Sequence, residues 1–178
     1  MIGTLGNKMY PSTCSYAAVA HHFFNRNILL FSTFEECMTA LKERSINIGV
    51  VPAAYPKINP IIMDDDLQVA DTFMYRIPDL VLAANQENNI RHFHHLYFHP
   101  ATKSLFSKIN SQFSFKEIIP ADSNTDAALK VKQSGRENNL CITNALCVAQ
   151  QDLKALQILK EGFVMPFICF TRKGFSPK

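Results

Sequence analysis

Tryptophan is absent from the 178-residue sequence, so the aromatic content rests on 14 Phe and 5 Tyr and reads mostly as packing material. Also absent is any CxxC spacing: the five cysteines stand at 14, 37, 141, 147 and 169. An odd, scattered set of this kind excludes a disulfide framework and the usual structural zinc site. There is little net charge. Eighteen Lys and Arg against fifteen Asp and Glu leave a formal +3, too small and too dispersed for a nucleic-acid surface. No apolar run approaches the roughly 18 residues of a membrane span. The opening "MIGTLGNKMYPSTCSYAAVAHHFF" has no basic region followed by a long apolar run, so no signal peptide is expected. P-loop, GxGxxG and Ser-His-Asp patterns are missing too. These absences leave a reduced, cytoplasmic enzyme or binding protein with neither a nucleic-acid nor a membrane partner.

What is present is the composition of an ordinary globular domain, 47% hydrophobic and 19% charged, in a chain long enough to bury a real core. Short apolar runs alternate with amphipathic stretches, the rhythm of an α/β protein. "MIGTLG", "NILLFS" and "INIGVVP" read as strands; "STCSYAAVAHHFF" and "TFEECMTALKERS" read as helices, the second opening with a Thr33–Glu36 capping box. "LQVADTFMYRIPDLVLAAN" reads as one or two strands broken near Ile77-Pro78. The alternation then resumes with strand "HLYFHP", helix "ATKSLFSKIN", strand "FSFKEIIPA" and helix "SNTDAALKVKQS". It ends with strand "NLCITN", helix "ALCVAQQ", strand "ALQILKEG" and a last strand "FVMPFICFTRK" interrupted by Pro166. The expected architecture is a single domain over 1–178 made of two similar lobes around a cleft. Lobe one takes 1–77 plus 157–178 and lobe two takes 78–156.

Hydroxyl-rich segments fall at the strand-to-helix junctions: "YPSTCS", "SNTDAA" and "TNAL". Each serves as a helix cap. Together, Ser12, Thr13, Ser123, Asn124, Thr125, Thr143 and Asn144 also offer hydroxyls and amide N–H groups to a carboxylate, because helix starts favour anions. Arg76, near the proposed crossover, is either a hinge arginine paired with Asp79 or a planar fork for one carboxylate. Lys8 is a second candidate cation. Four histidines crowd "RHFHHLYFHP". His92 and His94 would share a strand face, but no acidic or Cys partner supports a metal site. His99, at the strand end before Pro100, would face the cleft.

The order of these segments resembles the prephenate dehydratase domain family over nearly the whole chain. "TLG" with "PSTCSYAA" is similar to the family's L-G-P-x-G-T-x-S-x-x-A-A, and "STFEECMTALKERSINIGVVPAAY" to its Phe-acidic helix leading into G-V-V-P-I-E-N. "YFHPAT" stands for S-H-P-Q, "SNTDAA" for S-T-x-x-A-A, and "CITNALCVAQQDLKALQIL" for A-A-I-A-x-x-x-A-A-x-x-Y-G-L-x-I-L. The resemblance implies a two-lobed fold like the type II periplasmic binding proteins.

Departures from the family point to one branch of it. Pro52-Ala53-Ala54-Tyr55 replaces P-I-E-N, and the closing N-x-T-R-F would require Asn, Thr and Arg at 166, 168 and 169, where the chain has Pro, Ile and Cys. The actual Thr171-Arg172 comes three residues late and is expected to be a strand end. "VPAAY", "DLQ" and "ITN" resemble the prephenate decarboxylases of bacilysin-type antibiotic pathways. That resemblance implies non-aromatising decarboxylation of prephenate, a small aromatic-precursor carboxylate, to a dihydro-4-hydroxyphenylpyruvate. It implies Tyr55 and the junction residues as substrate-binding, Arg76 or His99 as cation or proton relay, a possible homodimer, and no metal or organic cofactor, since the substrate's own diene accepts the electrons. The alternatives are a dehydratase giving phenylpyruvate and a non-catalytic aromatic-acid binding protein on the same scaffold.

Overall fold

In the computed structural model, residues 1–85, 91–135 and 138–175 are described. The chain divides into two compact units, Met1–Ile77 with the chain from Val164 onward, and Pro78–Phe163.

The first unit contains β1 (Ile2–Leu5), α1 (Cys14–His22), β2 (Ile28–Phe31), α2 (Phe34–Lys42), β3 (Ile48–Pro52), α3 (Ile58–Ile62) and β4 (Leu67–Arg76). The last strand of the chain, β10 (Val164–Arg172), also belongs to it. Its sheet runs β2-β1-β3-β10-β4, with β10 antiparallel to both neighbours. Every residue of β1 is buried, as a parallel strand covered on both faces requires. Alternation sends Gly3, Leu5, Val51 and Phe170 toward α2, where Phe34, Cys37, Met38 and Leu41 complete a core. The opposite face carries α1, whose His22 ring stacks on Phe73 at 3.9 Å. Gly3 is required by packing: a Cβ there would meet the Phe31 ring at 2.8 Å, the Cys37 sulfur at 2.9 Å and the Ile46 side chain closer still.

The second unit contains β5 (Leu80–Ala84), β6 (His92–Phe98), β7 (Ser114–Pro120), α4 (Asn124–Gln133), β8 (Asn139–Asn144), α5 (Ala145–Gln151) and β9 (Lys154–Lys160). The order β7-β6-β8-β5-β9 repeats the plan of the first sheet, an antiparallel strand again lying between the third strand and the edge. Val81, Ala83 and Cys141 face α4 and α5. Leu80, Leu82, Leu140 and Ile142 face the other way, onto Leu105 and Phe113.

Several elements differ from expectation. The helix expected at "ATKSLFSKIN" is a 3-10 helix over Pro100–Lys108, starting one residue earlier and ending two earlier. β9 stays paired with β5 through Lys160, so the chain returns to the first unit between Phe163 and Val164, not near 157. Pro166 does not interrupt β10. Its carbonyl accepts from the Ala53 N–H at 3.0 Å, so the ring nitrogen faces the same side, just past the last β3 register pair at Phe167 and Pro52. No ladder donor is lost within the pairing. None of the five cysteines is in a disulfide; four are buried and Cys14 is half-buried.

Candidate functional site

In the first unit β1, β2 and β3 are parallel and β4 runs with them, so Leu5, Phe31, Pro52 and Arg76 all lie toward one edge of the sheet. α1 and α2 start from that edge. The Thr13 hydroxyl donates to the Leu5 carbonyl at 2.7 Å and accepts from the Tyr16 N–H at 3.0 Å, so both its functions serve the helix start. Ser12 is buried beside it. Tyr55 lies beyond β3, and its phenol donates to Glu35 Oε1 at 2.8 Å. Lys57 Nζ donates to the same oxygen at 3.1 Å. Partial burial works to raise the Glu35 carboxyl, but Tyr55, the helix-start N–H and Lys57 outweigh it and hold it below its ordinary value. Burial, then the Glu35 hydrogen bond and charge, push the Tyr55 phenol well above its ordinary value. Tyr55 therefore remains a neutral hydroxyl at any physiological pH. Arg76 is exposed and forms no ion pair among the described residues; its expected partner Asp79 instead accepts from the Gly162 N–H at 2.6 Å.

In the second unit β6, β7 and β8 are parallel and end on one edge, which gathers His99, Ser123, Asn124, Thr125, Thr143 and Asn144. Ser123 caps α4, its Oγ accepting from the Asp126 N–H at 3.0 Å while its own hydrogen meets no acceptor among the described residues. Asn144 caps α5 by accepting from the Cys147 N–H at 3.0 Å. Thr143 Oγ donates to the Asn124 carbonyl at 2.7 Å, tying the start of α4 to the end of β8. Thr125 is fully buried, its Oγ 3.5 Å from the Cys147 sulfur. The Oδ1 of Asn124 is buried with no hydrogen-bond partner, a cost of roughly 1–3 kcal/mol unless something supplies a donor.

His99 begins the 3-10 segment. Burial pushes its pKa below the ordinary histidine value, and the charge of Asp122 opposes this only in part. The Ala101 N–H lies 3.4 Å from Nδ1, so the neutral ring carries its hydrogen on Nε2 and presents a donor. Nothing in the sequence separates Asp122 and Glu35 from the chain's other acids.

The other histidines have structural partners. His92 Nδ1 is 2.7 Å from Ser114 Oγ, and His95 lies between Asn139 Oδ1 at 3.1 Å and Glu117 at 3.4 Å. Among the described residues no group of three His, Cys, Asp or Glu could hold a metal. The late Thr171-Arg172 pair is built into the first unit. Thr171 is fully buried, accepts from Gln68 and donates to the Phe175 carbonyl, both at 3.3 Å. The Arg172 guanidinium donates to the carbonyls of Leu41 at 2.7 Å and Ile46 at 2.9 Å, closing the C-terminal end of α2.

The prephenate dehydratase family profile matches residues 2–161. A prephenate decarboxylase from Planktothrix agardhii is 28% identical over 98% of this chain and 89% of its own length. Among solved structures, prephenate dehydratase from Arthrobacter aurescens in complex with L-Phe superposes with a TM-score of 0.73 at 15% identity. That match takes in 99% of this chain but only 62% of the larger protein. The periplasmic VFT2 domain of Bordetella pertussis BvgS, at 13% identity, gives 0.57 over 98% of this chain and 81% of its own. The likeness to these two structures is one of fold: a two-lobed, periplasmic-binding-protein-like α/β architecture.

Proposed function

Because the chain belongs to the prephenate dehydratase family, we propose that it acts on prephenate as a carbon–carbon lyase, releasing CO2 and leaving the ring alcohol in place. The observation that carries this reading is the commitment of Thr171 and Arg172. Their polar groups hold α2 and the last turn together, and Pro166, Ile168 and Cys169 occupy the places where the family's closing N-x-T-R-F, whose threonine the resemblance implies acts at the leaving hydroxyl, would stand. With that motif replaced, loss of water loses the group that would assist it. The named decarboxylase relative supports the same direction.

In this reading the bond from the ring carbon to its carboxylate breaks, and its electron pair shifts through the diene. One proton from solvent then adds to a ring carbon. Prephenate and H+ become CO2 and a dihydro-4-hydroxyphenylpyruvate. The second unit's edge supplies donors for a carboxylate: the Ser123 hydroxyl, the first N–H groups of α4 and His99 Nε2–H. Arg76, exposed and without an ion pair among the described residues, offers its guanidinium to a carboxylate. His99 serves as the proton relay, since a neighbouring dianion would raise its pKa toward neutrality.

Incubation with prephenate, followed by NMR of the product, tests the reading. CO2 release with a retained ring hydroxyl is expected. Phenylpyruvate would make the protein a dehydratase, and saturable binding without turnover would make it a binding protein on this scaffold.

A further inference from the structure

The first unit has an open space at the sheet edge opposite the starts of α1 and α2. Around the starting residues of β1, β2 and β3 lies a cavity of about 630 Å3, within the usual size of a small-molecule site. Its floor is apolar: Ile2, Ile48, Phe23, Phe175 and the buried thiol of Cys169. Its rim is polar, made of Asn25, Arg26, Asn27, Asn47 and Asp71.

The chain is shaped locally to form this space. Cys169 pairs with Asp71 but Phe170 pairs with Val69, so Ala70 is an extra residue on β4. Such a bulge bends an edge strand and re-aims its side chains. Both Ala70 and Asp71 line the cavity. Asn25 holds a left-handed turn at φ 63 just before Arg26. Neither the Arg26 guanidinium nor the side chains of Asn25, Asn27 and Asn47 bond any group among the described residues. Asp71 already accepts from the Thr72 N–H through Oδ1 at 2.8 Å. Burial, with Asp71 adding to it, pushes the Cys169 thiol up to about 12, so the sulfur is neutral and belongs to the apolar floor.

A donor-rich rim above an apolar floor matches a ligand with one anionic head and a compact apolar body. We infer that this cavity is a second binding site of the protein, taking a small monocarboxylate with an aromatic or branched aliphatic body, its head on Arg26 and the neighbouring carboxamides. The inference does not depend on the proposed reaction, because its test reads binding alone.

The probes are 3-phenylpropionate, its uncharged amide 3-phenylpropanamide, and phenethylamine, titrated by calorimetry into the full chain and into two surface variants. Arg26→Ala should weaken phenylpropionate roughly tenfold or more while leaving the amide's weaker binding unchanged, since only a charge-assisted contact is lost. Ala70→Leu, which narrows the space, should abolish binding of both. Overturning results are an absence of phenylpropionate binding, binding indifferent to both substitutions, or a preference for the amine over the acid. Prephenate turnover measured on Arg26→Ala keeps the two sites apart: it should match the unaltered protein whichever product the enzyme makes.

Discussion

His99 and Arg172 show how differently two residues of similar appearance are used. Burial lowers the His99 pKa in the folded chain, so folding favours the neutral ring. Its contribution to stability is complete above the unfolded value of about 6.5 and is lost as pH falls through the folded value. Denaturant titrations from about pH 8 to about pH 5 should show that decline, and His99→Asn should flatten it while keeping an acceptor for the Ala101 N–H. Equal slopes in the two proteins would remove His99 from the account. Arg172→Ala should destabilise the fold by about 1.5–3 kcal/mol, the worth of hydrogen bonds from a charged group, and leave the product formed from prephenate unchanged. A shift of product toward phenylpyruvate would mean that the guanidinium serves chemistry after all. Ser123→Ala loses the α4 cap, costing about 0.5–2 kcal/mol. If the hydroxyl also holds a carboxylate, KM should rise more than kcat falls.

At the level of elements, helix and strand order was readable because apolar periodicity and caps coincide. Thr33 accepts from the Glu36 N–H at 3.1 Å, and Glu36 reaches back to the Ser32 N–H at 3.1 Å, one residue earlier than the expected box. Ser123 likewise caps α4. Other features were hidden. Pro166 reads as a break until the neighbouring strand is known to end beside it. The Pro100–Lys108 segment has helix-forming residues, but only a local hydrogen-bonding pattern reveals its tighter winding. The bulge at Ala70 depends on register between strands about a hundred positions apart, which no local pattern encodes. Of the candidate site, the caps were legible as residue types. What they spend their hydrogen bonds on was not, nor was the orphaned oxygen of Asn124. Packing of α2 on the first sheet gives a direct test: Gly3→Ala should overpack the layer and cost about 1–3 kcal/mol by chemical denaturation. A neutral result would mean that Ile46 and Phe31 can give way without penalty.

At the scale of the whole molecule, each unit carries its own five-stranded sheet and its own apolar clusters. The second unit is also continuous in sequence, from Pro78 to Phe163. A fragment spanning 78–163 should therefore fold alone and unfold cooperatively. A gradual melt, or a circular dichroism spectrum without strand signal, would show that it needs the first unit. No helix among the described residues is long and apolar enough to cross a membrane.

The burial of four of the five thiols has a practical outcome. A maleimide dye added to the native protein should attach almost entirely at Cys14, the first residue of α1 and next to Thr13. That single fluorophore would stand at the start of α1, turning any rearrangement of that helix end into a change in emission without any engineered substitution.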